Sequence, residues 1–254
     1  MKEITGILFF LVLFSCTNNE VKKDVFDQPI IENKDKMKFE ERVKREIEAK
    51  LNIPATEKYT LKIQKEHLNS DEKEDAIITV NRLEFAISEA KKEKNSRREE
   101  YGFLGNFNYF LYYDGKLDKI SIPMNIGSSA KTPLKVRFEN IQSDIYKDVI
   151  IDYRIRNSAF RNYYKLESSS LILVFQWKLY DMIGTDNYEA NYLQLQPGSY
   201  SLARDIVVYK GKIKNYSKNI NDIYTYEPEI EKDGAELYHF FFDPKTYKYS
   251  IPKK

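Results

Sequence analysis

The sequence predicts an α+β fold, mainly antiparallel β after residue 100, with two early helices at about 37–51 and 83–94. Three observations lead there. Apolar residues recur every four positions at Phe39, Val43, Ile47 and Leu51. From Tyr59 the apolar period drops to two. Beyond Gly105, short runs rich in β-branched and aromatic residues follow one another, drawing on 20 Tyr and 15 Phe in 254 residues. With 42% hydrophobic residues the chain has enough apolar material for a real core. Lys plus Arg number 41 and Asp plus Glu 39, so the formal charge of +2 gives no field to gather nucleic acid, and no nucleic-acid partner is expected. A disulfide framework and a zinc centre of the usual Cys/His composition are both excluded by an inventory of 1 Cys and 2 His.

The first element is a leader. Lys2 and the amino terminus precede an apolar run at residues 4–14, ITGILFFLVLF. This run is shorter than the about 20 residues a bilayer span requires. It ends in Leu13-Phe14-Ser15-Cys16 and is followed at once by Thr17, Asn18, Asn19 and Glu20. The segment resembles the lipobox of bacterial lipoproteins, although Phe14 is bulkier than that family usually has at its place. The resemblance implies a signal peptide over residues 1–15, cleavage before Cys16, and Cys16 as the site of lipid attachment, palmitate included. The mature protein would then sit in the bacterial cell envelope, its membrane contact made through the N-terminal lipid. Residues 16–36 are polar, charged and without period, and read as a flexible tether of on the order of 25 Å. Residues 37–254 contain no Gly-, Ser- or Pro-rich linker and read as a single β-rich domain.

In the first helix Glu40 and Lys44, Glu41 and Arg45, and Glu46 and Lys50 form acid-before-base pairs, and Asn52 ahead of Ile53-Pro54 supplies a stop. Its apolar stripe is one residue wide per turn, which places it at the edge of a sheet. Strands follow at 59–64 and 76–80, the latter a β-branched run (AIITV) suited to a central strand. Leu83, Ala86, Ile87 and Ala90 mark the second helix, which fades into the charged stretch 91–100. Residues 107–113 alternate as a strand, and Asp114-Gly115 is a hairpin signal ahead of Ile120 and Ile122. Further strands are predicted at 134–139, 148–156, 161–167, 171–180, 192–195, 205–210 and 236–242. In the strand at 171–180, Leu171, Leu173, Phe175, Trp177 and Leu179 should share one face directed at the core.

One loop carries possible chemistry. Asn69, Asp71 and Asp75 place oxygens at alternate positions, and Ala76-Ile77-Ile78-Thr79-Val80 follows as a strand. The segment resembles the acidic loops of FG-GAP and VCBS repeats, and the resemblance implies calcium held by Asn69, Asp71 and Asp75. A second, weaker copy runs from Asn140 to Asp148 and into Val149-Ile150-Ile151. Aligning Asp75 with Asp148, seventy-three residues on, also aligns Asp71 with Asp144 and Leu68 with Ile141. Where the family has its turn glycine the chain has Glu72 and Ile145, and its opening ligand is replaced by His67 or Asn140. Calcium needs six to eight oxygens in a sharply bent loop, so weak or absent binding is expected and the loop serves mainly to join two strands.

No nucleophile elbow, zinc-protease helix or phosphate-binding Gly loop is present. His239 lies within an aromatic strand, where packing is the expected role, and Asp148 and Asp152 share a strand face that continues through Arg154 and Arg156, as in an ion-pair ladder. Two functions fit. The first is a lipid-anchored envelope protein with a non-enzymatic β-rich domain that binds a protein, small molecule or glycan. The alternative is a carboxylate-dependent hydrolase acting on polysaccharide, which would use the aromatic clusters as sugar platforms.

Overall fold

Helix α1 (Phe39–Lys50) carries Glu40 and Glu41 in its first turn and Lys50 in its last, the charge order its dipole favours. It ends as the sequence implies. Asn52 adopts φ +50° and the Ile53 N–H returns to the Glu48 carbonyl at 2.8 Å. The structure is a computed structural model that describes residues 38–94 and 97–251. The leader, Cys16 and the tether lie outside the described residues.

The architecture is α+β and mainly antiparallel β, 48% strand and 12% helix, and from Phe39 on the chain forms one compact unit. Strands β1 (Thr60–Glu66), β2 (Asp75–Asn81), β3 (Leu104–Asp114) and β4 (Lys119–Ile120) are hydrogen-bonded in that order, and β5 (Met124–Ser129) pairs with the first half of β3. An eight-stranded sheet follows: β6 (Lys135–Glu139), β7 (Asp148–Ile155), β8 (Ser158–Glu167), β9 (Ser170–Asp181), β10 (Glu189–Gln196), β11 (Asp205–Ile213), β12 (Ile230–Asp243) and β13 (Lys248–Ser250), each paired with the next. Between β9 and β10 the pairing is confined to Glu189 with Asp181 and Ala190 with Tyr180. The chain is therefore three successive antiparallel meanders, β1–β5, β6–β9 and β10–β13.

The meanders pack face to face. Ile77, Phe110, Tyr112 and Ile126 of the first meet Val136, Val149, Ile151, Tyr164 and Leu171 of the second. On the far side of the second, Ile150, Tyr163 and Phe175 meet Ile206, Val208, Phe240 and Phe242 of the third. Strand β7 thus buries both faces, which explains its unbroken Val149-Ile150-Ile151 run. Helix α1 covers the outer face of the first meander, where Val43 and Ile47 pack on Ile78, Val80, Leu111 and Ile120. It lies over the sheet rather than at an edge. Its narrow stripe suffices because the strands beneath supply the remaining apolar surface.

Helix α2 (Leu83–Lys92) stands where expected, and a third, one-turn helix α3 (Arg97–Glu100) lies in the charged stretch that follows. Strand β9 departs from simple alternation. Leu171 and Leu173 face the first meander while Phe175 and Trp177 face the third. The cause is a register shift against β8: Tyr163 pairs with Phe175 but Tyr164 with Leu173, so Val174 is an extra residue that reverses the strand's faces.

Candidate functional site

The acidic loop at residues 67–74 joins β1 to β2 and turns its carboxylate inward. Asp75 is fully buried. Its Oδ2 accepts from the Leu68 N–H at 3.3 Å and the Asn69 amide at 3.0 Å, and its Oδ1 accepts from the Tyr112 hydroxyl at 2.9 Å and the Gly115 N–H at 3.1 Å. Burial pushes the Asp75 carboxyl above its usual range while the Gly115, Tyr112 and Leu68 donors pull against it. Asn69 Oδ1 accepts from the Asp71 N–H at 2.7 Å, and Asp71 Oδ1 from the Lys73 N–H at 2.9 Å. All three residues singled out in the sequence meet in one loop: Asn69 Oδ1 and Asp71 Oδ1 accept from the loop's own N–H groups, and Asp75 accepts from the loop through Oδ2 and from Tyr112 and Gly115 through Oδ1.

The second copy is built alike. Glu66 pairs with Asp75 across the first connection and Glu139 with Asp148 across the second, each connection being eight residues long. Asp148 Oδ2 accepts from the N–H groups of Ile141 at 3.2 Å and Gln142 at 2.8 Å. Its Oδ1 is buried without a partner among the described residues, and burial pushes this carboxyl up to about 6. Asp144, by contrast, is exposed. A third loop of the same length joins β10 to β11. There Gln196 pairs with Asp205, whose Oδ2 accepts from the Ser199 N–H at 3.0 Å and hydroxyl at 2.6 Å. The loops also touch in sequence, through Lys147 N–H to the His67 carbonyl and Arg204 N–H to that of Ile141. The third loop went unread because Pro197-Gly198-Ser199 replaces the polar-amide pattern. Its signal is an acidic residue opening a β-branched strand, Asp205-Ile206-Val207-Val208, one eight-residue connection after Gln196.

The remaining sequence candidates separate. His239 Nε2 lies 3.1 Å from Asp205 Oδ2, and the ring stacks on Phe241 at 4.4 Å. Asp148 belongs to its loop, whereas Asp152 is clamped by Arg161 through Nε at 2.7 Å and Nη2 at 2.9 Å and by Arg137 at 3.2 Å. These pairs form the expected cross-strand ladder, but Arg154 and Arg156 leave it. Arg154 is buried against the carbonyls of Tyr224 and Tyr226, and Arg156 covers the Tyr101 ring at 4.2 Å.

A large concave surface forms where β9 and β10 part company. A groove of about 880 Å³ runs beside Gln176, Trp177 and Lys178 of β9, facing Asn191, Lys210 and Tyr238. The Trp177 ring stands edge-on to Tyr238 at 5.3 Å, and its buried indole N–H has no partner among the described residues. Leu237 and Tyr238 on the rim are 48% and 44% exposed, an unusual exposure for such side chains. The Asn191 amide donates to the Lys178 carbonyl at 3.0 Å, bridging the two strands where the sheet ladder has stopped. Aromatic faces beside amides and ammonium groups can hold a polar ring by stacking and hydrogen bonding together. No family model matches the chain, and no curated protein or solved structure is significantly similar to it.

Proposed function

We propose that the chain is a lipid-anchored cell-envelope protein, attached to the membrane through Cys16, whose β-rich domain is a non-enzymatic binding module for a glycan. The observation that carries this reading is the groove between β9 and β10, with Trp177 and Tyr238 as a ring platform and Gln176, Asn191 and Lys210 as polar partners. Binding is favoured over hydrolysis by the state of the carboxylates. The groove is lined by two carboxylates, Glu189 and Asp233, and Asp233 pairs with Lys212 at 3.2 Å, while outside it Asp152 is held between two arginines. A glycosidase pair needs one such group free as acid and another free as base or nucleophile. We further read the three eight-residue connections as degenerate relatives of FG-GAP and VCBS loops that fold without calcium, because their buried aspartates accept backbone N–H groups where an ion would otherwise sit.

Trp177 is the single tryptophan of the chain, so its fluorescence reports on the groove directly. Titration with soluble dextran, xylan and alginate should shift or quench the emission with at least one of them, and Trp177→Ala should abolish retardation of the protein in affinity electrophoresis on that polymer. Unchanged emission and mobility with all three, or full retardation of the variant, would remove the glycan reading.

A further inference from the structure

The three eight-residue connections form one end of the domain. Their backbones touch in turn, the Lys147 N–H reaching the His67 carbonyl at 2.9 Å and the Arg204 N–H that of Ile141 at 2.7 Å. Counting back three residues from each buried aspartate gives Glu72, Ile145 and Leu202, so two neighbouring loops carry a large aliphatic residue at the equivalent position. Neither is packed. Ile145 is 80% exposed and Leu202 98%, and Tyr200 is 75% exposed with its ring edge-on to Phe241 at 4.8 Å. Leu117, also more than half exposed, stands in the β3–β4 turn, which the Gly115 N–H ties to Asp75. Apolar side chains this exposed and gathered at one end mark a contact surface.

The point where the chain enters the domain indicates what this surface meets. The Phe39 ring, at the start of α1, lies 4.9 Å from the Tyr113 ring and has the Lys65 ammonium over it at 5.0 Å. Lys65 and Tyr113 are the next-to-last residues of β1 and β3, beside the first loop and the β3–β4 turn. The segment that carries Cys16 therefore joins the domain at the loop end, and a lipid on Cys16 would tether the domain by that end. Charge does not select an anionic partner, because Asp71, Glu72, Lys73, Glu74, Asp144 and Lys147 place both signs on the first two loops. The tips are single side chains set among Ser143, Asp144 and Ser201. Such protrusions suit the yielding boundary between lipid headgroups and acyl chains better than a shaped pocket.

We propose that the loop end is a bilayer-facing surface, with Ile145, Tyr200 and Leu202 entering the headgroup region of a phospholipid membrane. This inference rests on the membrane-anchored reading and adds which face meets the lipid; it does not use the Trp177 groove. Insertion is driven by apolar area, so zwitterionic lipid suffices.

The test uses full-length protein on phosphatidylcholine vesicles that contain acyl-brominated lipid, with a second tryptophan added by Leu202→Trp, Ile145→Trp or, at the opposite end of β3, Leu104→Trp. The two tip positions should add blue-shifted emission that the brominated lipid quenches, above the constant background of Trp177, and Leu104→Trp should add emission that it does not quench. Ile145→Asp combined with Leu202→Trp should move the ratio of inserted to free tips roughly tenfold toward free and relieve most of the quenching. Both positions are exposed, so thermal melting should stay that of the parent. Unquenched emission at both tips overturns the proposal on the single variants alone. Equal quenching at Leu104→Trp, quenching that Ile145→Asp does not relieve, or a dimer in solution that Ile145→Asp dissolves, overturns it as well, the last by making a second copy the occupant. The emission is read on vesicle-bound protein, so its outcome is separate from fatty-acid labelling at Cys16, which tests the anchor alone.

Discussion

Replacing Asp75 with Ala tests whether the acidic loop is a structural clasp. The carboxylate accepts four hydrogen bonds, and those from Leu68 and Tyr112 are buried. Removing it strands the Leu68 N–H and the Tyr112 hydroxyl away from water, at about 1–3 kcal/mol each. The Asn69 and Gly115 donors are partly solvated and add less, while loss of a carboxylate whose ionisation burial already disfavours returns part of the cost. The net expectation is a loss of about 3–4 kcal/mol, a large share of the about 5–15 kcal/mol that holds a domain folded. Asp71→Ala gives the contrast. Its carboxylate accepts an exposed hydrogen bond from the Lys73 N–H, so the change should cost about 0.5–1 kcal/mol. Urea unfolding followed by far-ultraviolet circular dichroism, in chelator and again in millimolar calcium, reads both variants. A clasp gives a large difference between them that calcium does not alter. Equal losses at the two positions, or a calcium-dependent gain in the parent that either variant abolishes, would refute the reasoning and restore an ion-binding loop.

Asp148 should give the domain an inverted acid dependence. Its carboxyl protonates near about 6 when folded and near 3.8 when unfolded, so the stabilisation is complete below about 4 and is lost as pH rises through about 6. The gap corresponds to roughly 3 kcal/mol, and Asp148→Asn should flatten urea midpoints measured across that window; a slope unchanged by the variant would count against the assignment. Gly115→Ala should destabilise by about 2 kcal/mol or more, because a Cβ there would stand 2.0 Å from the Glu74 carbonyl oxygen. At Gly127 the nearest atom is Asn106 Oδ1 at 3.5 Å, and thermal melts of the two alanine variants should differ accordingly. Cys16→Ala should abolish incorporation of a fatty-acid analogue and leave an unprocessed precursor, and continued labelling would eliminate Cys16 as the attachment site.

Strands buried on both faces were the most legible parts of the chain. β2 and β7 announce themselves as unbroken β-branched runs because neither face meets water. β5 gave no such sign, since its buried residues include Ser128 and Ser129. The Ser128 hydroxyl accepts from the Asn108 amide at 2.9 Å and the Ser129 hydroxyl from the Arg156 N–H at 3.1 Å, so polar side chains do the packing there. The faces of β9 were misread because a bulge obeys the partner strand, not the local alternation. The groove could not be read at all. It joins Trp177 and Lys178 to Lys210 and Tyr238, residues that become neighbours only when two meanders separate along β9. Arg154 looked like one more rung of a surface ladder, and only tertiary packing shows that it is buried.

The order of the three meanders also bears on how the chain folds. Each strand pairs mainly with the one just before or after it, and the largest interruption within the first meander is the helical excursion between β2 and β3. Loop closure is therefore paid for in short steps, a condition that speeds folding relative to sheets stitched from distant segments. Each completed meander also presents an apolar face on which its successor can condense, so the layers can form in the direction of synthesis. Pulse-labelled hydrogen exchange during refolding should then protect β2 and β3 no later than β11 and β12; protection first appearing in the C-terminal meander would reverse that order.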